Sequence, residues 1–399
     1  MYDFSPSTEQ KDLLRKATAF MNNYVYPNEK YMLPHRGIPE NILKPLQEKV
    51  KELGMWAAHL PKEAGGTDMG FVSLGLLSEI IGRSPIAPYI FGSMAPDSGN
   101  SEILWHAATQ EQKEKYLKPL VNGDIRSYFA MTEPEVSGSD PRMLRGKAEL
   151  ENGEWVINAS KWFSTGASGA AFSIVMVVTD PSAPPHKRMS LFLVDSNTPG
   201  CEIIREVDVM GDHMVGGHCE VRFTNCRIPL ENMLGNRGDG FKLAQLRLGP
   251  GRITHAMRWL GVAKRSLEIL IEYASTSKKN GTPLSKDQTI QNFIADSMTE
   301  IQAARLLTLQ AAWKMDQCDE ARTDISMIKL YGAQMVNNVL DRAIQVLGMY
   351  GLSRDTPLEG LFREARAARI YDGPDEIHRM VIAKQAIKEY EEDQLLPFN

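Results

Sequence analysis

Four short segments of this chain hold residue types that plain scaffold does not call for. Ala130-Met-Thr-Glu-Pro-Glu-Val-Ser-Gly-Ser-Asp140 is dense in hydroxyl and glycine residues. Such a loop can turn backbone N–H groups toward an anion, because glycine lets the chain approach closely. A surface turn has the same composition. Lys161-Trp-Phe-Ser-Thr-Gly166 sets an indole beside a Ser/Thr pair at a strand. Trp162 can lie on a flat ring while a hydroxyl bonds that ring's edge, or it can be an ordinary core aromatic. Leu248-Gly-Pro-Gly-Arg-Ile253 puts glycine and proline into a helical stretch. That pattern bends a helix or brings a bound group against the backbone, and Arg252 is then either a fixed cation or a solvated one. Ile370-Tyr-Asp-Gly-Pro-Asp-Glu-Ile-His378 stops one helix and starts another. Pro374 suits the first helical turn, and Asp375 and Glu376 suit its positive end. Asp372 stands just before it, as a helix cap or as a catalytic carboxylate, and the local pattern favours the cap.

Other chemistries lack their residues. The eight histidines do not cluster. His213 and His218 flank Gly216-Gly217, which suits a turn better than a ligand pair, and no metal site is expected. No Gly-x-Ser-x-Gly elbow, phosphate-binding P-loop or Gly-x-Gly-x-x-Gly run occurs, so serine hydrolase, NTPase and Rossmann readings lose their usual support.

The elements that must position these segments fall into three stretches. Residues 1–125 are expected to be helical: Met21 to Tyr26 and Leu43 to Leu53 carry apolar residues at three- and four-residue spacing, and Thr109-x-x-Gln112 fits a capping box. Residues 126–236 change period. Phe172 to Thr179, Met189 to Val194 and Cys219 to Phe223 are short apolar or β-branched runs between turn residues, which predicts a small β-sandwich or barrel. Residues 237–399 return to helical spacing. Ile290, Phe293, Ile294 and Ile301 mark one helix, opened by Pro283 and a Ser285-x-x-Gln288 capping box, and Ile328 to Val346 mark another. Helices this long point to a four-helix-type bundle. The fold class is α+β, with an α-helical domain, a β-domain and a helical bundle in that order.

The chain has 399 residues, 43% hydrophobic and 24% charged, with a net charge of −5. That balance excludes a mostly disordered chain, and it argues against nucleic acid as a partner because no surplus of cations meets phosphates. Four cysteines without C-x-x-C spacing fit a reducing, cytoplasmic setting. No signal peptide and no bilayer-spanning run is visible.

Taken together and in order, Met131–Asp140, Lys161–Gly166, Gln345-Val-Leu-Gly-Met-Tyr-Gly351 and Tyr371-Asp-Gly-Pro-Asp-Glu-Ile-His-Arg379 resemble the acyl-CoA dehydrogenase family, along nearly the whole chain. The resemblance implies bound FAD and an acyl-CoA substrate, as in fatty-acid β-oxidation. An α-proton is removed and the β-hydrogen passes as hydride to flavin N5, leaving a 2-enoyl-CoA. Electrons then leave to an electron-transferring flavoprotein or a similar acceptor. A homodimer or homotetramer is implied, with FAD lying between the β-module and the bundle and touching the neighbouring subunit. Carried over by position, Phe129, Met131 and Thr132 match the flavin-contacting strand end. Gly138 and Ser139 match the loop by the pyrophosphate and the pantetheine. Trp162 matches the indole against the flavin, and Ser164 the hydroxyl near N5. Gln288, Gln345, Gly348, Pro374 and Glu376 match further FAD contacts. Asp372 matches the base, Arg252 the Arg beside it, and Gly373 the thioester end. In the family it resembles, the thioester oxygen is held by a flavin hydroxyl and by the backbone N–H of the base residue.

Three positions depart from the family pattern. The usual base is Glu, and Asp372 is one methylene shorter. Some members place the base on the first bundle helix, where this chain has Gly251. Asp372 is therefore the expected base, as in a branch of the family with the same Tyr-Asp-Gly-Pro-Asp-Glu run. A pyrophosphate Arg matches Ser277, followed by Lys278 and Lys279. The second glycine of a frequent pair is Met349. The competing readings are a flavin oxidase or monooxygenase acting on a carbon acid without CoA, such as a nitroalkane, and a non-enzymatic protein that kept the fold.

Overall fold

The computed structural model describes residues 5–31, 38–210, 214–318 and 321–394. His213 lies outside them. The side chains of residues 247–250 are also outside the description, and with them the expected Gly249-Pro250 feature.

The first stretch is helical: α1 (Thr8–Phe20), α2 (Glu40–Glu52), α3 (Gly70–Ile81), α4 (Ala87–Ile90), α5 (Asp97–Ala107), α6 (Gln110–Gln112) and α7 (Lys118–Asn122). The Thr109 box forms as expected. Its side chain accepts from Gln112 N and the Gln112 side chain accepts from Thr109 N, so two orphan donors are satisfied reciprocally. Eight strands follow: β1 (Ser127–Ala130), β2 (Lys147–Glu151), β3 (Glu154–Thr165), β4 (Phe172–Val178), β5 (Met189–Asp195), β6 (Cys201–Glu206), β7 (His218–Pro229) and β8 (Met233–Leu234). Then come α8 (Gly240–Thr276), a small hairpin of β9 (Lys278–Lys279) and β10 (Thr282–Pro283), α9 (Gln288–Asp316), α10 (Arg322–Leu347), α11 (Leu358–Ala367) and α12 (Asp375–Asp393). α9 and α10 run 29 and 26 residues, as the apolar spacing predicts, and α8 is longer at 37.

One start signal misleads. The Ser285 box does not form. Asp287 is the N-cap of α9 and accepts from Thr289 N at 2.8 Å, while Leu284–Lys286 form a 3₁₀ turn. Asp caps as well as Ser, so the helix begins two residues later than the box predicts. Pro283 pairs in the hairpin instead of opening the helix.

The chain folds into two compact units that do not follow sequence order. One gathers residues 28–69 and 88–248. Its eight strands form a single sheet in the order β6-β7-β3-β2-β4-β5-β8, with β1 parallel on β4. Tyr128, Trp155, Ile157, Val175, Val177 and Phe192 are among the residues of its core. Burying such side chains contributes roughly 1.5–3 kcal/mol each. The helices brace it: Trp56 Nε1 donates to Val121 O at 2.8 Å, and Asp97 Oδ1 accepts from both N and Oγ of Ser127 at 2.7 Å.

The other unit gathers residues 1–27, 70–87 and 249–399. Its core joins α8, α9, α10 and α11 through Met257, Leu260, Ile301, Ile328, Val336 and Leu361. The Asp316 carboxylate at the end of α9 accepts from Phe71 N at 2.6 Å and Val72 N at 3.0 Å. It thereby satisfies the first turn of α3 with charge of the favourable sign. Among the described residues no helix is long and apolar enough to cross a membrane, and no His/Cys/Asp/Glu group could hold a metal ion.

Candidate functional site

In the helical unit, one face of α8 carries Arg252, His255 and Trp259, at spacings of three and four that align side chains along a helix. Opposite them lies the connection from α11 to α12. Asp372 sits there with φ +54°, a left-handed conformation that costs a non-glycine residue about 1–2 kcal/mol. Surrounding contacts hold it. Its carbonyl accepts from Arg252 Nη2 at 2.9 Å, Arg252 Nε at 3.2 Å and His378 Nε2 at 3.2 Å. Its carboxylate Oδ2 lies 2.8 Å from His255 Nδ1. Asp372 is therefore not the cap of α12. Pro374 occupies the N-cap position, and no side chain bonds the helix end. Gly373 follows with φ +98°, and a Cβ there would come within 2.9 Å of His378 Nε2, so the clamp needs glycine.

Aromatic rings close this cluster. Trp259 Nε1 donates to Tyr371 Oη at 3.0 Å, and the His255 ring meets Tyr371 edge-on at 5.5 Å. Lys329 of α10 is fully buried; its Nζ donates to Ala368 O at 2.6 Å. Burial pushes this ammonium down to about 8, against the pull of Asp375 and Asp372. Burial, with Arg252 next, pushes His378 down to about 4. Burial also lowers Arg252 from its ordinary value, with Asp372 opposing. Asp375 is buried and accepts from Arg369 Nε at 2.8 Å. Glu376 is exposed in the first turn of α12.

In the sheet unit, the two sequence motifs meet at the end of β1. Thr132 Oγ1 donates to Trp162 O at 2.7 Å, and Trp162 N donates to Thr132 O at 3.1 Å. The β3–β7 register shifts between Lys161 and Ser164, and Phe163 has φ +49°. A bulge of this kind re-aims side chains. Below it Lys161 is fully buried, and its ammonium donates to Met131 O, Glu133 Oε1 and Met176 O at 2.9, 2.8 and 2.7 Å. Glu133 in turn accepts from Arg145 N and Gly146 N at 2.7 and 2.9 Å. The pair ties the start of the Met131–Asp140 loop to β3 and to Arg145 and Gly146 beyond it. Ser164 is fully buried, and its Oγ has no hydrogen-bond partner among the described residues. Phe129 is half-buried on β1, and Gly138 and Ser139 are exposed in the loop, where Ser137 and Ser139 hydroxyls lie 2.8 Å apart.

The remaining expected positions stand at helix ends. Gln288 is the first residue of α9, exposed, bonded to Asn292 Oδ1 at 2.9 Å. Gln345 is exposed in the last turn of α10, and Gly348 follows with φ +59° and ψ −133°, a backbone that only glycine adopts without strain. Met349 is 82% exposed. Lys278 and Lys279 are both exposed on the hairpin, whose turn is Asn280-Gly281. The sequence motifs thus mark Asp372, Arg252 and Gly373 as one cluster, and Met131, Thr132, Trp162 and Ser164 as another. They do not mark His255, Trp259 or Lys329, and they contain Glu133 without singling it out. The one available signal was the 252–255–259 spacing.

Family models for the N-terminal, middle and C-terminal domains of acyl-CoA dehydrogenase match residues 7–124, 128–226 and 238–387. A probable acyl-CoA dehydrogenase of Mycobacterium tuberculosis, FadE2, is 40% identical over 96% of this chain and 96% of its own length. Acyl-CoA dehydrogenase family member 10 of mouse is 41% identical over 95% of this chain, which spans only 37% of that longer protein. The solved structure of a putative acyl-CoA dehydrogenase from Mycobacterium abscessus is 39% identical, with a TM-score of 0.93 over 97% of this chain and 100% of that one. With all three domain models matched and a relative 40% identical over 96% of both chains, this chain belongs to the acyl-CoA dehydrogenase family.

Proposed function

We propose that this protein is an FAD-dependent acyl-CoA dehydrogenase in which Asp372 removes the α-proton of the thioester. The carrying observation is the clamp on Asp372: three N–H donors on its carbonyl and an imidazole on its carboxylate hold a base residue in a left-handed backbone. A thioester α-proton is weakly acidic, so the base must be oriented and the developing enolate oxygen stabilised. The Asp372 backbone N–H is the group that polarises the thioester carbonyl, and Gly373 leaves room beside it.

The residues present fit the flavin. Ser164 offers a buried hydroxyl with no protein partner, next to a bulge that presents Trp162. A buried orphan hydroxyl is costly unless a ligand satisfies it. Phe129, Met131, Thr132, Trp162 and Ser164 would hold the ring, Gly138 and Ser139 the phosphate side, and Gln288, Gln345, Gly348, Pro374 and Glu376 the remainder. Bound FAD supplies the hydride acceptor for the β-hydrogen. An electron-transferring flavoprotein or similar acceptor and a homodimer or homotetramer complete the proposal, with boundaries near residues 125 and 236 between the three domains. The family match does not favour the oxidase reading.

The test is anaerobic titration of the purified flavoprotein with a panel of acyl-CoAs, following the oxidised-flavin absorbance. At least one thioester should bleach the wild type and leave Asp372→Asn unbleached. Bleaching of the variant at the wild-type rate refutes Asp372 as base. No bleaching of the wild type by any thioester refutes the dehydrogenase reading.

A further inference from the structure

His255 has no counterpart in the motifs that mark the site, yet it hydrogen-bonds the carboxylate of the proposed base. We infer that His255 is a positioning residue for Asp372: its Nδ1–H fixes the orientation of the carboxylate that removes the α-proton. The inference deepens the proposed function and rests on Asp372 being the base.

The geometry carries it. His255 Nδ1 and Asp372 Oδ2 are 2.8 Å apart, a full hydrogen bond, with side-chain exposures of 19% and 18%. An ionised carboxylate has no proton to give, so Nδ1 carries the hydrogen and donates. The ring cannot turn away easily. Tyr371 meets it edge-on with an interplanar angle of 78°, and Trp259 stands 6.4 Å from it on the next turn of α8. Trp259 and Tyr371 are themselves joined by a hydrogen bond at 3.0 Å.

Aspartate makes such a holder necessary. Arg252 and His378 fix the Asp372 backbone through its carbonyl, but they leave the side-chain torsions to be set by something else. A base displaced by about 1 Å can lose on the order of a hundredfold in rate. His255 sets that torsion from α8, the same helix that supplies Arg252. Backbone and carboxylate of the base are thus held from one rigid element.

Among the described residues, Arg252 on α8, Lys329 on α10, Tyr371 and His378 act electrostatically with Asp372; Arg322 acts in turn on Arg252, Asp375 and Glu376 on Lys329, and Arg258 on Tyr371. Removing His255 leaves all of these in place. What it takes away is one donor to the ionised form of the base. Losing such a donor raises the base's apparent pKa, so the acid limb of kcat/KM moves to higher pH.

The experiment compares wild type, His255→Leu, His255→Asn and Asp372→Asn as FAD-loaded proteins. Asn can place an amide N–H where the imidazole Nδ1–H stood. His255→Leu should lose about tenfold or more in kcat, with KM for the acyl-CoA nearly unchanged and the acid limb shifted upward. His255→Asn should recover most of the rate and return the limb. A second readout is independent of turnover: proton NMR of the wild type should show a strongly downfield imidazole N–H that His255→Leu lacks. Wild-type kcat and pH limb in His255→Leu, or equal deficits in the Leu and Asn variants, overturn the inference. So does the absence of a downfield proton in the wild type, which decides the matter if the Leu variant fails to fold. Asp372→Asn separates the two claims. If it is as active as wild type, the base reading falls and this inference with it. If it is inactive while His255→Leu is normal, only the inference falls.

Discussion

Acid should weaken this protein through His378, and the size of the effect follows from its surroundings. The side chain is 2% exposed; Nε2 donates to Asp372 O, and Nδ1 has no partner among the described residues. Protonation would create a second N–H with nothing to receive it, beside the Arg252 guanidinium. Burial first, and Arg252 next, therefore hold His378 at about 4, against 6.5 for an ordinary histidine. The unfolded chain binds the proton more readily than the native state across that interval. The contribution is thus fully present above pH 6.5 and is lost as the pH falls toward 4. A shift of that size corresponds to about 3 kcal/mol. His378→Gln keeps a donor for Asp372 O and never charges. Urea unfolding of the FAD-loaded wild type and His378→Gln at several pH values between 7 and 4 isolates the term, because all carboxylates are common to both. The wild type should lose about 3 kcal/mol more than the variant over the interval. Parallel curves would refute the reasoning and show that the pocket admits a charged imidazole.

Three further outcomes follow from other residues. Lys161→Met should cost about 3–5 kcal/mol in urea unfolding, since it strands the buried Glu133 carboxylate and two carbonyls; a cost below about 1 kcal/mol would mean the pair is dispensable. Adding Glu133→Leu to that variant should not restore stability fully, because Arg145 N and Gly146 N lose their acceptor. Ser164→Ala should leave unfolding of the apoprotein unchanged or slightly improved, because its Oγ has no partner to lose. It should weaken FAD binding about five- to tenfold, read by fluorescence titration. Gly348→Ala should destabilise by about 1–3 kcal/mol through backbone strain alone, since nothing lies within 4 Å of the added Cβ; an unchanged melting temperature would contradict that.

Much of the architecture is legible in local patterns. The three- and four-residue spacing along Ile328 to Val346 and the β-branched run at Phe172 correspond to α10 and β4, because periodicity reports which face is buried. The Thr109 box reads correctly, and the Ser285 box does not, because Asp287 competes for the same helix end and no local signal ranks the two. Asp372 and Arg252 are visible as unusual residues in unusual loops. Their meeting is not visible. His255 contacts a residue 117 positions away, and Asp316 satisfies a helix end 245 positions earlier. Nothing in the intervening sequence encodes those separations, and Lys161 and Glu133, 28 positions apart, look like ordinary surface charges until the bulge buries them.

The interleaving of the chain sets a timetable for its synthesis. The sheet unit has all its segments once residue 248 has been made, so it can close while the rest is still being translated. Helices α1 and α3 emerge early, but the partners that cover α3, Asp316 and Met257 among them, belong to residues 249–399. At about 5–20 residues per second, α3, packed on α1, waits on the order of ten to fifty seconds without the bundle core that Phe71 and Val72 pack against. During that wait the nascent chain carries a β-module with all its segments and an apolar helix whose α9-facing side has nothing to dock on. A ribosome-bound holdase would find its client there, on α3, long before Asp372 exists.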